Sequence, residues 1–547
     1  MPRRVLLCAL ACVMMLSACR LQVPSVPVPT VHLSAQSGGS VTEAVAGQIG
    51  PLNPLFETGQ NDQDVDSLIY QGLTTVNSSQ DVVPLLASGW KVSGNGLTYT
   101  VQLRQDVRWA DGAPFTAGDV VFTYHLLQNP AYAGSGSDVW RDVQVQQLNH
   151  HAVQFTLVAP NAAFPETLRQ GIIPEHIFSD IAASRIEGDA HSEAEAFGTG
   201  PFRVRSISQN GERVTLVRNT RARPRPLLGG FVFQSYQTLG AAFNAVADGQ
   251  ADTVGSLQPP SLASLGAHPN LVVRQLQTYS YVALLFNLQK PSLNAFFGQT
   301  SVRQALDEAI DRNAIVNGVL GGRAEVDPGP IPPTSWAYAP GQASPGGTYN
   351  PVGARAALQQ AGWVLEPGSR YRTRNGNTFA LSLSTPDGYP YPQVAHAIAG
   401  QLAAVGVHVT VHAMTAGQLV GTKLARHEYQ LALVAFDMGP DPDQYTLWHS
   451  DPSPGQLNFS SPELPRQDLI DKDLQDGRDL TDRGERAAAY ADFQSLIVQA
   501  APAAFLFSPT YDYVLSKRIR GVQINPVIDP SDRLEYVSSW YVNVRQG

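Results

Sequence analysis

The stretch LVAFDMGPDPDQYTLWHS, from Leu433 to Ser450, decides the fold. It begins as an apolar, strand-like run and breaks at Gly439 and Pro440. Acidic and aromatic side chains surround the break: Phe436, Asp437, Asp441, Asp443, Tyr445 and Trp448. A strand that ends in turn residues among such side chains is typical of the wall of a ligand pocket. A solvated Pro-Asp turn is the alternative, and the rest of the chain has to decide between them.

The composition is that of a large globular protein. The chain has 547 residues, too many for one core, which predicts several domain-sized units. Hydrophobic residues make up 43% and charged residues 15%, which excludes a disordered chain. The net charge of −9 is spread along the sequence, so nucleic acid is excluded as a partner. The one dense basic run, Arg218 to Arg225, lacks interleaved aromatic residues and is interpreted as a solvated loop.

The N-terminus predicts export and lipid attachment. Two arginines precede an apolar run of 12 residues, Val5 to Leu16, which is too short to span a bilayer. The run leads into Leu-Ser-Ala-Cys19, which resembles a bacterial lipobox. We therefore predict a signal peptide at residues 1–18 and a diacylated Cys19, with an ordinary secretory peptide as the alternative. Two acyl chains anchor a protein stably, so we expect it on the outer face of the cell membrane, periplasmic or cell-surface side, held by lipid alone.

Cysteine usage agrees with this prediction. The three cysteines, Cys8, Cys12 and Cys19, all lie in or at the end of the leader. A mature chain would keep only the lipid-bearing thiol, so packing alone would hold its core, which its size permits. Residues 20–40 are rich in Pro, Val, Ser and Gly and are predicted to form, with Cys19, a flexible tether over 19–40. Globular sequence is predicted to begin at Val41.

Helix and strand signals alternate over most of the chain. Leu97 to Leu103 alternates like a strand, and Thr116 to Leu127 follows as a helix with Thr116 as its N-cap. Ser301 to Leu320 places its apolar residues on one helical face and predicts a single long helix. Asp482 and Glu485 have the spacing of a capping box at the start of another helix. This alternation predicts an α/β protein of more than one lobe.

Sequence motifs for catalysis, metals or cofactors are missing. There is no GxSxG, no GxxxxGK[ST] and no HExxH, since His427-Glu428 lacks the second histidine. His408 and His412 would lie about 13 Å apart along a strand, too far for one metal ion. The sequence therefore favours binding without turnover, with no metal and no cofactor.

A resemblance to a known family emerges from the segment Leu86 to Tyr124, LASGWKVSGNGLTYTVQLRQDVRWADGAPFTAGDVVFTY. It resembles the signature of the family 5 extracellular solute-binding proteins, the peptide-, dipeptide- and nickel-binding receptors of ABC importers. Further segments follow in the family's order: GTGPFRV (Gly198 to Val204), AAFNAVADGQADT (Ala241 to Thr253), YVALLFN (Tyr281 to Asn287), VRQALDEAIDRNAIVNGVLGG (Val302 to Gly322), GPIPPTSWAY (Gly329 to Tyr338) and ERAAAYADFQSLIVQAAPAAFLFSPTYDY (Glu485 to Tyr513). No single motif decides, but the ordered set covers about residues 41–525.

The resemblance implies a two-lobed periplasmic-binding-protein fold of type II, similar to cluster C, with an extra subdomain inserted in lobe one. The implied division is 41–60 in lobe one, 61–193 as the inserted subdomain, 194–279 in lobe one again, 280–508 as lobe two and 509–547 returning to lobe one. The chain would then cross between lobes near Tyr279 to Asn287 and near Phe507 to Tyr513.

The implied function is capture of oligopeptides or dipeptides between two closing lobes and delivery to an ABC permease with separate ATPase subunits. We expect a monomer that is not an enzyme. Two alternatives stay open: a receptor for a non-peptide solute such as an oligosaccharide, opine or metal chelate, and a surface sensor lipoprotein on the same fold.

The resemblance also implies ligand-contacting residues, each with core packing as the alternative: Tyr279, Tyr281, Asn287, Trp336, Phe436 and Asp437, with Trp140 and the Val45 to Asn53 loop opposite. Peptide-binding relatives place an Asp three residues before the Asp-Pro of this loop, where it holds the peptide's α-ammonium. Here Asp441-Pro442 is preceded at that distance by Met438. Asp437 stands one position earlier, on the other face of the strand, which leaves recognition of a peptide amine open.

Overall fold

The computed structural model describes residues 33–193, 195–256, 259–341, 348–451 and 457–546. The predicted signal peptide, Cys19 and the predicted tether as far as residue 32 lie outside these ranges. Within them, no helix combines the length and the apolar character needed to cross a membrane.

The described strands follow the chain as β1 (Leu33–Gln36), β2 (Ser40–Ala46), β3 (Thr74–Val76), β4 (Val82–Pro84), β5 (Ala87–Val92), β6 (Thr98–Leu103), β7 (Gln144–Asn149), β8 (Ala152–Thr156), β9 (Phe202–Ile207), β10 (Arg213–Arg218), β11 (Gly230–Tyr236), β12 (Thr253–Val254), β13 (Leu271–Gln277), β14 (Ser280–Phe286), β15 (Ala324–Val326), β16 (Thr373–Arg374), β17 (Asn377–Thr378), β18 (Ala380–Pro386), β19 (His408–Met414), β20 (Leu431–Asp437), β21 (Ala503–Ser516) and β22 (Asn543–Gln546).

The described α-helices are α1 (Gln60–Ile69), α2 (Ala117–Leu127), α3 (Phe164–Thr167), α4 (Glu175–Phe178), α5 (Ala190–Glu193), α6 (Leu239–Ala247), α7 (Pro259–Ser264), α8 (Asn294–Phe297), α9 (Thr300–Glu308), α10 (Arg312–Ala314), α11 (Pro351–Gln360), α12 (Tyr391–Ala404), α13 (Ala416–Gln418), α14 (Tyr445–Trp448), α15 (Gln467–Asp479) and α16 (Arg483–Ala500).

One continuous path of strands crosses the whole molecule, in the order β19-β18-β20-β14-β21-β12-β2-β11-β10-β9. The long strand β21 is its centre. The first half of β21 pairs with β14 and β15, and its second half pairs with β12 and β13. Strand β21 therefore belongs to both ends of the molecule, which makes it one of the two chain crossings between them.

The hydrophobic cores divide the chain into two lobes. One set of core residues lies between Val41 and Leu276 and resumes at Tyr513. The other set lies between Tyr281 and Phe507. We call these lobe one and lobe two. The predicted boundaries between the lobes and the finer division of lobe one stay predictions.

Lobe two is built on a sheet that is covered on both faces. Every residue of β14 (SYVALLF) is buried, as a strand between two layers requires. Val282, Leu284 and Phe286 point to the core formed with α9, α11 and α12. The alternate residues Tyr281 and Ala283 point to a second core formed with α15 and α16. Each buried large apolar side chain contributes roughly 1.5–3 kcal/mol relative to an exposed one.

Lobe one combines a parallel centre with an inserted antiparallel sheet. Strand β2 pairs in parallel with β11 and β12, and β10 and β9 extend the sheet in antiparallel fashion. The inserted part is the four-stranded sheet β5-β6-β8-β7, against which α2 packs. Thr116 and Asp119 form the capping box of α2, which confirms the predicted helix start.

The structure corrects two sequence predictions. The tether does not extend over Leu33 to Ser40, because β1 pairs antiparallel with β22 and Ser40 already begins β2. The single helix predicted over Ser301 to Leu320 is interrupted after α9. Asp311 breaks it by capping a new turn, since its side chain accepts a hydrogen bond from the backbone of Ala314.

Candidate functional site: the gap between the lobes

Strand β20 brings the opening stretch to the gap between the lobes. Its residues up to Val434 are buried between β14 and β18, whereas Asp437 at its end is exposed. The turn that starts at Gly439 then leaves the sheet and meets lobe one. The strand ends here because the apolar run gives way to turn residues, as the sequence predicted.

Glu166, in α3 of lobe one, makes the closest contact with this turn. Its Oε2 accepts a hydrogen bond of 3.0 Å from the backbone N–H of Asp441. A Cβ placed on Gly439 would lie 1.6 Å from Oε1 of Glu166, so any side chain at this position would have to displace that carboxyl group. The absence of a side chain at Gly439 therefore leaves room for Glu166 against the turn.

The carboxyl group of Glu166 has an unusual protonation state. The pKa of Glu166 is raised to about 8, chiefly by burial and also by the nearby carboxylate of Asp441, against the opposing effects of the hydrogen bond from the Asp441 backbone and the charge of Arg169. Near neutral pH the group is mostly protonated, which lowers the cost of enclosing it between the lobes.

Two further contacts join the lobes. The backbone N–H of Ala162 donates to the carbonyl of Arg478 at 2.9 Å. Arg483 at the start of α16 forms an ion pair with Asp81 of lobe one. These contacts involve backbone and exposed polar groups, so they can break and re-form as the gap opens and closes.

A cavity of about 290 Å³ lies between these contacts. We call it the interlobe cavity. Lobe one lines it with Gln80, Asp81, Val82, Trp90, Val92, Tyr99, Ala162, Ala163, Pro165 and Glu166, and lobe two with Trp336, Pro440, Asp441, Thr481, Arg483 and Arg486. Aromatic walls with a few charged groups are typical of small-molecule sites.

Trp336 is the sequence-predicted residue that lines the interlobe cavity. The guanidinium groups of Arg483 and Arg486 lie 5.0 and 5.3 Å from its ring centroid, within the range of cation–π attraction. Arg486 also pairs with the carboxylate of Asp441 at 2.7 Å. The two arginines and Asp441 thus hold the indole at the wall of the cavity.

Tyr281 and Phe436 do not line this cavity. Their rings are buried in lobe two with centroids 5.1 Å apart. The hydroxyl of Tyr281 donates to Oε1 of Gln444 at 3.0 Å, and Trp448 donates to the same oxygen at 2.9 Å. Both residues follow the core-packing alternative because the strand alternation turns them toward α15 and α16.

Trp140 and Asn287 are also structural. Trp140 is buried in the inserted subdomain with its ring 4.2 Å from that of Tyr124. The side-chain amide of Asn287 donates to the carbonyls of His427 and Tyr429 at 2.7 and 2.6 Å, which fixes the end of β14. Neither side chain lines the interlobe cavity.

Asp437 lies on the face of β20 that its register predicts. Phe436 and Met438 are both buried in the same lobe-two core, so Asp437 between them points the opposite way. Its Oδ1 accepts a hydrogen bond of 2.7 Å from the hydroxyl of Ser280. The position at which the family resemblance implies a carboxylate for a peptide's α-ammonium is therefore occupied here by Met438, which is buried.

Neither Tyr279 nor the Val45 to Asn53 loop lines the interlobe cavity. Tyr279 lines a separate small cavity of about 20 Å³ together with Arg169 and Asp532. In the loop, Asn53 is buried and donates to Ser192 at 2.9 Å.

Sequence reasoning did not identify Glu166, Arg483 and Arg486. Each is a charged residue on a helix, a pattern that usually indicates a solvated surface. Their roles depend on contacts between distant parts of the chain: Glu166 and its partner Asp441 are more than 270 residues apart. No local sequence pattern encodes such a contact. The positions of Trp90 and Tyr99 in the cavity wall were not identified from the sequence for the same reason.

Among the described residues, no three or more His, Cys, Asp or Glu side chains are placed to hold a metal ion. Two of the acids of α1 are held by other groups. Asp64 pairs with Arg533 at 2.6 Å, and Asp62 accepts a hydrogen bond of 2.9 Å from the backbone of Thr58.

Comparisons with known proteins agree with this architecture. The sequence model described as "Bacterial extracellular solute-binding proteins, family 5 Middle" matches residues 81–456. The chain is 26% identical to the oligopeptide-binding protein AppA of Bacillus subtilis, over 93% of this chain and 92% of that one. It is 25% identical to the dipeptide-binding protein of Escherichia coli, over 87% and 90%.

Solved structures show the same fold. The complex of Bacillus subtilis AppA with a nonapeptide matches with a TM-score of 0.73 at 24% identity, over 93% of this chain and 100% of that one. NikA of Brucella suis in complex with Fe(III)-EDTA matches with a TM-score of 0.76 at 19% identity, over 90% and 99%. Because the family model covers most of the chain and the fold is shared along nearly its whole length, this protein belongs to family 5 of the bacterial extracellular solute-binding proteins.

Proposed function

We propose that this protein is the solute-binding component of an ABC importer and that it encloses a short peptide between its lobes. The observation that carries the proposal is the interlobe cavity, whose wall combines Trp336 and Arg486 of lobe two with Trp90 and Tyr99 of lobe one. Its volume of about 290 Å³ is at the small end of ligand pockets, which suits a dipeptide or tripeptide.

In this proposal a ligand favours the closed form because it contacts both walls at once. A ligand shifts an open–closed equilibrium only as far as it binds the two forms differently, and contacts to both lobes exist only after closure. The permease then recognises the closed protein, and separate ATPase subunits power transport. The partners are the permease and the solute, and the protein acts as a monomer.

Peptide as the ligand class is supported by relatives that are named for oligopeptide and dipeptide binding. Of the residues predicted as ligand contacts we retain Trp336, Tyr279 and Asp437, and we add Glu166 and Arg483. The added residues bring polar groups from both lobes to the same cavity.

A non-peptide solute is the second candidate, and one observation favours it. Met438 is buried at the position where peptide-binding relatives offer a carboxylate to the α-ammonium. A ligand without a free α-ammonium would not need that group.

The test is to purify the exported protein and identify what leaves the gap on denaturation, by mass spectrometry. Peptides of mixed sequence are expected; a single non-peptide compound would establish the second candidate instead. Replacing Trp336→Ala should weaken peptide binding about ten-fold or more, since it removes a cavity wall. Tyr349→Ala, an exposed aromatic residue of lobe two, is the matched control and should bind like the parent.

We also propose that Cys19 carries the lipid that holds the protein to the membrane. The support is the lipobox-like sequence that ends the leader. Mass spectrometry of the mature N-terminus should find a diacylated Cys19, and Cys19→Ala should release the protein into the soluble fraction. An unmodified cysteine would sink this proposal.

A further inference from the structure

Lobe one contains a second cavity, of about 300 Å³, between α1 and the segment that follows β21. Five carboxyl groups line it, namely Glu57, Asp66, Asp529, Asp532 and Glu535, together with one basic residue, Arg169. We call this cavity the acidic chamber. The charge is unusual because each carboxylate that a protein encloses normally has a cation beside it.

Arg169 forms an ion pair with one of the five acids, and its charge also acts to lower the pKa of Asp529 and Glu535. Arg169 pairs with Asp532 at 2.5 Å. Among the residues that the structure describes, no Lys, Arg or His forms an ion pair with the other four. Glu535 accepts a hydrogen bond from the hydroxyl of Thr75 at 2.8 Å, which is a neutral donor. Four of the five carboxyl groups in the chamber wall therefore have no paired cation among the described residues.

Asp66 supplies an independent indication of a ligand. The residue is 1% exposed, and within the described part of the chain neither of its carboxylate oxygens has a hydrogen-bond partner. A buried polar group that is left unpaired loses the hydrogen bonds that it made to water without gaining others, and the loss is larger for a charged group. Most buried polar groups in folded proteins are paired, so an unpaired carboxyl in a cavity wall points to a missing donor.

The protonation of the chamber agrees with this. The pKa of Glu57 is raised to about 8, chiefly by burial and then by the charges of Asp529 and Asp62. Burial, Glu57 and Asp62 likewise hold the pKa of Asp66 well above its usual range. An enclosed cation would act in the opposite direction and favour the ionised carboxylates.

The chamber faces the gap between the lobes. Thr75, Arg169, Asp532 and Glu535 line both the chamber and the small cavity that Tyr279 closes at the lobe crossing. From lobe two, Asp437 lies close enough to Asp529 to raise the pKa of that carboxyl, after burial and Asp532. The two lobes thus bring acids toward each other at the mouth of the chamber.

We propose that the acidic chamber receives a cationic group of the transported solute, such as the ammonium or guanidinium of a basic side chain. Asp66 and Glu57 would accept its hydrogen bonds inside the chamber, and Asp529 and Asp437 would face it at the mouth. This proposal rests on the proposed function, because it names the class of ligand that the receptor prefers.

An organic cation suits the chamber better than a metal ion. No set of three carboxylates converges on one point among the described residues. The wall instead interleaves its acids with neutral side chains such as Gln63, Ser67 and Gln170. Several spaced acceptors match the spread N–H groups of an ammonium or guanidinium.

The same charge arrangement would couple recognition to closure. Without a ligand, Asp437 and Asp529 repel each other across the gap, which opposes approach of the lobes. A cation between them converts the repulsion into two attractions. A cationic ligand would therefore favour the closed form more than a neutral ligand of the same shape.

The experiment compares tripeptides that differ only in the central side chain, which is either cationic or uncharged, by isothermal titration calorimetry on the purified protein. The probes are Ala-Lys-Ala, Ala-norleucine-Ala and Ala-(acetyl-lysine)-Ala, with 1,5-diaminopentane as a cation that is not a peptide. We expect Ala-Lys-Ala to bind at least ten-fold more tightly than both neutral peptides. Asp66→Asn and Glu57→Gln should remove that preference, whereas Asp248→Asn, an exposed acid on lobe one, should keep it.

The outcomes separate the two proposals. Equal binding of the charged and neutral peptides overturns the cation proposal and leaves peptide transport standing. Binding of 1,5-diaminopentane alone, lost in Asp66→Asn, supports the chamber and overturns the peptide as ligand. No binding of any of the four probes overturns both. Circular dichroism checks that Asp66→Asn is folded, and if it is not, the preference measured on Glu57→Gln decides between these outcomes.

Discussion

Arg533 is 1% exposed and joins three parts of lobe one that are far apart in the sequence. Its guanidinium lies 2.8 Å from Glu43 of β2 and 2.6 Å from Asp64 of α1. Tyr513 of β21 donates to the same Glu43 at 2.6 Å. The buried guanidinium and its two carboxylate partners are stable only together, because each charge offsets the desolvation cost of the others.

Removing one partner should therefore be costly. We expect Arg533→Ala to destabilise the protein by about 3–5 kcal/mol, since it leaves Glu43 and Asp64 as unpaired buried carboxylates. Urea unfolding followed by circular dichroism measures the change as a lower midpoint. Arg520→Ala, an exposed arginine of lobe one, should stay within about 0.5 kcal/mol of the parent. Equal midpoints for both variants would contradict the structural role.

Single residues were predictable from the sequence only where local pattern determines them. The register of Asp437 followed from strand alternation, and Trp336 from the segment GPIPPTSWAY. Glu166 and Arg533 were not predictable, because their partners come from distant parts of the chain. Trp140 illustrates the limit of a family resemblance, which does not state which aromatic residues face the cavity.

The segment GTGPFRV illustrates how elements are fitted together. It passes so close to the end of α1 that a Cβ on Gly198 would lie 1.7 Å from the backbone oxygen of Ile69. The backbone of Ile69 cannot move aside as a flexible side chain can. Glycine is therefore required at position 198 for the chain to reach strand β9.

We expect Gly198→Ala to destabilise lobe one by roughly 1–3 kcal/mol through this overpacking. The comparison is Gly188→Ala, where no atom lies within 4 Å of the new Cβ and the backbone is not left-handed. That variant should be neutral or stabilised by up to about 1 kcal/mol, because alanine restricts the unfolded chain. Thermal unfolding of both proteins decides; a stable Gly198→Ala would refute the close approach.

At the scale of elements the sequence was a good guide. Periodicity and capping residues predicted α2 and α16 near their observed bounds, and Asp482 does cap α16. The long helix over Ser301 to Leu320 was wrong because Asp311 prefers to cap a new turn, and periodicity does not register that competition. The pairing of β1 with β22 joins the two ends of the described chain, and only the folded structure reveals it.

At the scale of the whole molecule, the resemblance predicted two lobes and two crossings, and the split of the hydrophobic cores agrees with the lobes. How the lobes touch was not predictable. The contact depends on Glu166 of lobe one packing against the turn of lobe two that begins at Gly439. The residues on the two sides of the gap share no sequence pattern.

Gly439→Ala should weaken closure without disturbing either lobe. The new Cβ would displace the carboxyl of Glu166 and remove its hydrogen bond to Asp441. The loss of about 1 kcal/mol from one such bond corresponds to roughly five-fold weaker ligand binding. Small-angle scattering should show a larger radius of gyration with ligand than in the parent. Gly388→Ala, with no atom within 4 Å of its new Cβ, should close normally.

Closure should also depend on pH through Glu166. In the closed protein burial raises its pKa to about 8, whereas in an open gap the group is hydrated and keeps its ordinary value near 4.5. Between these values closing takes up a proton, so raising the pH disfavours the closed form. Below about pH 4.5 the group is protonated in both forms and above about pH 8 it is ionised in both, so the dependence lies between them.

Two spin labels measure the closed fraction, one at Val158→Cys in lobe one and one at Val352→Cys in lobe two, both highly exposed positions. Double electron–electron resonance gives the distance between the labels. In the doubly labelled parent the closed fraction should fall as the pH rises from about 5 to about 8. Adding Glu166→Gln keeps an acceptor for the Asp441 backbone but cannot titrate, so this part of the dependence should vanish. The carboxyls of Asp441 and Asp532 and the cation of Arg169 surround Glu166 and are unchanged in both proteins, so the difference between the two curves isolates one group. Identical curves would mean that Glu166 does not control closure.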